Sequence, residues 1–106
     1  MTTTPTIGRI VHYKLSASDA MAINHRRRDA KDKMDWHIAL KTGAQVHVGN
    51  EASEGDIFPM IITRVWGKDA DSAVNGQVFL DGNDLFWTTS VHCGDNPRDF
   101  AWPQRA

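Results

Sequence analysis

The run Asn24-His25-Arg26-Arg27-Arg28 gathers three guanidiniums and an imidazole, and guanidinium groups hold phosphate oxygens through pairs of parallel hydrogen bonds. On a helix, consecutive residues fan around the axis, so one or two of these groups face any single ligand. Arg27 is the sharpest of them. It falls on the stripe that helical spacing turns inward, where an unpartnered guanidinium is costly, so it must meet a carboxylate, a carbonyl or an anionic ligand. The tryptophans Trp36, Trp66, Trp87 and Trp102 read as core or rim anchors, and one at a rim can stack on a base or ring. The candidate ligand-binding set is therefore Asn24, His25, Arg26, Arg27 and Arg28 with His47, Trp66 and Trp102. The ligand that suits it is a small anionic nucleotide.

Other chemistry finds less footing. His12, His25, His37, His47, His92 and Cys93 lack the spacing of metal ligands, with no C-x-x-C and no H-x-x-x-H pair. His92 and Cys93 are adjacent and point to opposite faces of a strand, so the imidazole is a poor base for the thiol. No G-x-S-x-G, P-loop, dinucleotide fingerprint or calcium loop occurs. Asp81 and Asp84 flank a turn open to solvent, which suits a turn better than an acid–base dyad. The expectation is a non-enzymatic protein with no cofactor and no metal.

These residues sit in a chain of 106, with 12 Lys+Arg against 13 Asp+Glu, one Cys and 41% hydrophobic content. That suits one domain over residues 1–106. A single cysteine allows no internal disulfide framework, which points to a reducing compartment. No apolar run approaches the roughly 18 residues of a membrane span. The start Met1-Thr2-Thr3-Thr4-Pro5 lacks a basic segment leading into an apolar one, so neither secretion by signal peptide nor membrane insertion is expected. Residues 9–41 carry 8 Lys/Arg and 4 Asp/Glu, and residues 42–106 carry 4 and 9. This asymmetry allows local anion binding or head-to-tail pairing with another copy, without the overall positive balance of a duplex-DNA binder.

The elements that position these groups follow from periodicity. Residues 7–15 alternate as a strand, with Arg9, Val11, Tyr13 and Leu15 on one side and Ile10 and His12 on the other. Ser16-Ala17-Ser18-Asp19 is a helix start, with Ser16 and Asp19 placed to cap one another. The helix begins near Ala17 with an inner stripe of Ala20, Ile23, Ala30 and Met34, interrupted by Arg27. Trp36, Ile38 and Leu40 extend it or form a second helix, and Gly43 is its natural stop. Residues 44–49 read as a short strand and 57–66 as the strongest one, with Pro59 suited to a first paired residue or an edge. Gly94 to Asp99 reads as a loop and Phe100 to Pro103 as a last strand.

Residues 74–80 and 85–91 flank Asp81-Gly82-Asn83-Asp84 as a hairpin. A two- or four-residue loop sets Phe79 opposite Phe86 and Val78 opposite Trp87, so that Val74, Val78, Leu80, Leu85, Trp87 and Val91 enter the core. The other face then carries Asn75, Gln77, Phe79, Phe86 and Thr88, a candidate oligomer interface. The fold class expected is mainly β with one helical insertion over residues 16–42, built as a small SH3-like or OB-like five-stranded barrel.

The segments G-R-I-V-H-Y (Gly8–Tyr13), S-A-x-D-A-x-x-I-N-x-R-R (Ser16–Arg27), H-V-G-N and G-D-x-F-P (His47–Pro59), R-V-W-G (Arg64–Gly67), V-N-G-Q-V-F-L-D-G-N-D (Val74–Asp84), W-x-T-S-V (Trp87–Val91) and W-P (Trp102-Pro103) together resemble a group of small proteins encoded by tailed phages and prophages. The resemblance spans nearly the whole chain. It implies phage origin and carries no catalytic residue over; shorter members of the group lack most of the helical excursion, which implies a barrel with an optional insertion. The expected place is the host cytoplasm during infection, or alternatively the virion. Three functions follow as expectations: sequestration of a nucleotide-type host defence signal, a virion or assembly component that contacts other subunits, and single-stranded nucleic-acid binding. The first two predict self-association into a homo-oligomer. The first leaves a basic concave pocket, whereas the second fills it with acids such as Glu51, Glu54 or Asp56.

Overall fold

Ser16 and Asp19 start the helix by the expected reciprocal bonds. The Asp19 amide donates to Ser16 Oγ at 3.1 Å and the Ser16 amide donates to Asp19 Oδ2 at 3.0 Å. In the computed structural model, which describes residues 3–39 and 49–104 and helix side chains as far as residue 33, this helix is α1, Ala17–Ala39. The strands are β1 (Ile10–Lys14), β2 (Ile57–Val65), β3 (Val74–Phe79), β4 (Leu85–Val91) and β5 (Phe100–Ala101). The expected strand over 44–49 and the stop at Gly43 lie outside the described residues, Gly49 excepted.

The strands form one antiparallel sheet in the order β4-β3-β2-β1-β5, so the chain is mainly β with one helix. The sheet is not closed into a barrel. Its ends approach at one point, where the Phe100 amide donates to the His92 carbonyl at 2.9 Å and the Gly94 amide to the Phe100 carbonyl at 3.0 Å. At two residues, β5 is too short to ladder along β4.

Alternation decides which side chains enter the core. Val11 and Tyr13 of β1, Met60 and Ile62 of β2, Val74 and Val78 of β3, and Phe100 of β5 are buried, joined by Leu15, Leu80 and Ile23. Pro59 pairs with His12 of β1 and precedes Met60, the first β2 residue paired with β3. The proline therefore occupies a place where no ladder donor toward β3 is missed. Among the described side chains of α1, those of the first turns meet this core. Ala20, Ile23 and Arg27 are buried, whereas residues 28–33, including the expected inner residue Ala30, are exposed. A helix of 23 residues is about 35 Å long and outruns the sheet it rests on.

The hairpin register differs from the sequence expectation by one residue. Phe79 pairs with Leu85, Val78 with Phe86 and Gln77 with Trp87, so the loop between the paired ends, 80–84, is odd in length. Leu80 leaves the ladder to be buried, and Asp84 turns toward the helix. Since side chains alternate with period two, one step exchanges the faces of β4. Phe86 and Thr88 turn in, and Trp87 and Leu85, expected in the core, stand 58% and 45% exposed. Ser90, at φ 55°, and the shift of register between Val74 and Gly76 insert a bulge that returns Val91 to the core. The Asn75 side chain fills the irregularity, with its Oδ1 accepting from the Ser90 amide and from Trp66 Nε1, each at 3.0 Å.

Candidate functional site

Arg27 sits 8% exposed on the inward face of α1. Its Nε donates to Asp84 Oδ2 and its Nη2 to Asp84 Oδ1, both at 2.9 Å, a two-pronged pair. Nη1 donates to the Asn50 carbonyl, and Nη2 also reaches the Asp81 carbonyl at 3.5 Å. The predicted need for a partner is thus met by a carboxylate and carbonyls of the same chain. The acid is Asp84, one of the two turn residues, rather than Glu51, Glu54 or Asp56. Arg26 adds a contact from Nη2 to Asp84 Oδ2 at 3.2 Å. Hydrogen bonds from Arg27 hold the Asp84 carboxyl below its usual value against the opposing effect of burial, with Arg26 adding to the shift.

The surrounding amides complete a clamp. Asn24 Nδ2 donates to the Ala52 carbonyl at 2.8 Å while the Ala52 amide donates to Asn24 Oδ1 at 2.9 Å. Asn50 Nδ2 donates to Asp81 Oδ2 at 2.5 Å, and its backbone amide donates to the Asp81 carbonyl at 3.2 Å. Gly49 permits this approach: a Cβ there would stand 2.7 Å from both Arg27 Nη2 and Gly82 Cα. Helix, segment 49–52 and hairpin tip are therefore tied at Arg27.

The expected ligand residues do not converge. His25 is exposed and 3.5 Å from Asp29. Arg28, exposed, lines a pocket of about 230 Å³ with Asn24, Lys31 and Glu51. His47 lies outside the described residues. Trp66 follows the end of β2 where Val65 pairs with Val74, away from the hairpin tip, and carries Arg64 3.9 Å above its ring. Trp102 packs edge-on against Phe100 with centroids 5.8 Å apart, and Arg9 stacks 4.8 Å from its ring centre.

The expected interface set also divides. Phe86 and Thr88 turn inward for the register reason above, Asn75 is buried in the bulge between β3 and β4, and only Gln77 and Phe79 remain outside. What takes their place is the outer face of the whole sheet. Ile10 pairs with Ile61, Ile61 with Gln77 and Gln77 with Trp87 in one cross-strand row. Beside it Leu85 pairs with Phe79, His12 with Pro59 and Ala101, and Lys14 with Ile57. Trp87 is 58%, Ile57 57%, Ile10 53%, Leu85 45% and Phe79 40% exposed. Sequence reasoning misses this face because an even-length turn places Leu85 and Trp87 inward. Alternation of Ile10 and Ile57 was the available signal.

No family model matches this chain. No curated protein and no solved structure matches it either.

Among the described residues, no group of three His, Cys, Asp or Glu is placed to hold a metal ion, and no helix is long and apolar enough to cross a membrane. Desolvation pushes the Cys93 thiol pKa up, and Asp95, Asp99 and Asp71 add to the shift, which disfavours the thiolate.

Proposed function

We propose that this protein is a non-enzymatic subunit-interaction protein that associates with further copies of itself through the outer face of its sheet. The exposure of Ile10, Ile57, Phe79, Leu85 and Trp87 on the outer side of the sheet carries this reading. Together they expose on the order of 500 Å² of apolar surface, at the upper end of the largest patch on a typical monomer. The only ionisable side chains in those cross-strand rows are His12 and Lys14. A largely apolar face with Lys14 at its margin suits a like face better than a polyanion, and a homo-oligomer is the commonest soluble assembly. With the phage resemblance, the role is that of an assembly component. Light scattering coupled to size exclusion over a hundredfold concentration range tests it. A dimer or larger species that Phe79→Lys returns to monomer is expected; a monomer throughout overturns the reading.

A second reading, capture of a small anionic nucleotide, draws on Arg28 and Lys31 around the pocket of about 230 Å³. Arg26 and Arg27 contribute less, since Asp84 already engages them. Calorimetric titration with cyclic di- and trinucleotides tests it. Arg28→Ala is expected to weaken binding, and absence of heat for every nucleotide overturns it.

A further inference from the structure

Where β1 and β5 meet the loop that joins β4 to β5 there is a cleft of about 440 Å³, a size that suits a small molecule. We infer that it binds an organic cation, a guanidinium or primary ammonium carried on a short hydrocarbon chain. Its lining combines an apolar part, Ile57, Ala101 and the Trp102 ring, with a charged part, Lys14, Asp95 and Asp99. With His12 uncharged, one ammonium stands against two carboxylates. That ammonium is directed elsewhere, since Lys14 Nζ donates to the Asp95 carbonyl at 2.6 Å. Among the described residues, no cation lies within ion-pair distance of either carboxylate. Their charge is felt at neighbouring Cys93, whose thiol pKa desolvation raises first, with Asp95, Asp99 and Asp71 adding to the shift.

The walls are fixed before a ligand arrives, which lowers the ordering cost of binding. The Lys14 amide donates to the Asp99 carbonyl at 3.2 Å and the Arg98 amide to the Lys14 carbonyl at 2.8 Å, so the acidic loop is tied to β1. Asp99 Oδ2 accepts from the Asn96 amide at 3.1 Å, and its Oδ1 has no described partner. Gly94 gives this carboxylate its place, because a Cβ there would collide with it. On the apolar part, Trp102 is held edge-on against Phe100. Arg9, which stacks 4.8 Å from the centre of that ring, is not among the residues lining the cleft. The two parts together select the ligand. Unbalanced carboxylates repel an anion and attract a cation, and charge-assisted hydrogen bonds to them are the strong contacts available. A hydrated metal ion leaves the apolar part unused, whereas a hydrocarbon chain buries itself against Ile57, Ala101 and Trp102.

Calorimetric titration of the full chain at neutral pH with agmatine, which carries a guanidinium and an ammonium on a four-carbon chain, tests the assignment. Saturable binding is expected with a Kd on the order of 1 mM or tighter. Bare guanidinium ion, without the chain, is expected to bind more weakly, and neutral butanediol not at all. Asp95→Asn and Asp99→Asn, each first shown to fold by circular dichroism, are expected to weaken agmatine binding about tenfold. Glu51→Gln, which removes a carboxylate outside the cleft, is expected to leave it unchanged. Absence of saturable heat with agmatine, equal binding of the diol or of bare guanidinium, or unchanged affinity in both aspartate variants overturns the proposal.

Discussion

Asp84 receives two arms of the Arg27 guanidinium, each at 2.9 Å, across 57 positions of sequence. The pair joins the only described helix to the tip of the β3–β4 hairpin, and it accompanies the odd-length turn that decides which side of β4 meets the core.

Removing Asp84 leaves the Arg27 guanidinium largely buried with carbonyl acceptors but no counter-charge. Asp84→Ala is expected to cost about 3 kcal/mol of unfolding free energy, in the range for breaking a buried ion pair. Arg27→Met in the same chain should recover part of that loss, because it removes the orphaned charge. Urea denaturation of both single variants and the double variant measures the coupling; purely additive effects would contradict the pairing.

The same pair sets an acid limit. The folded Asp84 pKa lies below its ordinary 3.8, so its contribution is present above the unfolded value and is lost as pH falls through the folded one. Urea midpoints should decline below about pH 4, with a shallower decline in Asp84→Asn, whose starting stability is already lower.

Tyr13 sets an alkaline limit. Burial raises its pKa first, and the hydrogen bond it donates to Asp19 Oδ2 at 2.5 Å adds to the shift, above the ordinary 10.0. Because the folded state keeps the proton longer, stability falls as pH rises past the unfolded value, near 10. Tyr13→Phe is expected to cost about 1–2 kcal/mol at neutral pH and to flatten the decline between pH 9 and 11. An unchanged slope would remove Tyr13 as its cause.

The hairpin register has its own readout. Phe86 packs against the core and Trp87 faces outward. At concentrations where the chain is monomeric, Phe86→Ala should cost about 2 kcal/mol, below the range for a fully buried Phe. Trp87→Ala should stay within about 0.5 kcal/mol of the unaltered chain. The reverse order in thermal or urea melts would restore the even-length turn.

Where the chain interacts with its near neighbours in sequence, the residues alone were informative. The Ser16–Asp19 cap, the alternation that sets Val11, Tyr13 and Leu15 on one side of the first strand, and the hairpin at residues 81–84 were all legible, because caps, alternation and turns depend on a few adjacent positions. So was the need of Arg27 for a partner, since an unpaired inward guanidinium is costly wherever it lies. Tertiary structure decided that the partner is Asp84, that the turn has odd length, and that Trp87 and Leu85 join Ile10, Ile57 and Phe79 on an outer face. The reason is distance along the chain: local propensities accept either register of β4, and the register adopted comes with a contact 57 residues away. The Ser90 bulge likewise depends on Asn75 across the ladder, a pairing that exists only once the strands have met.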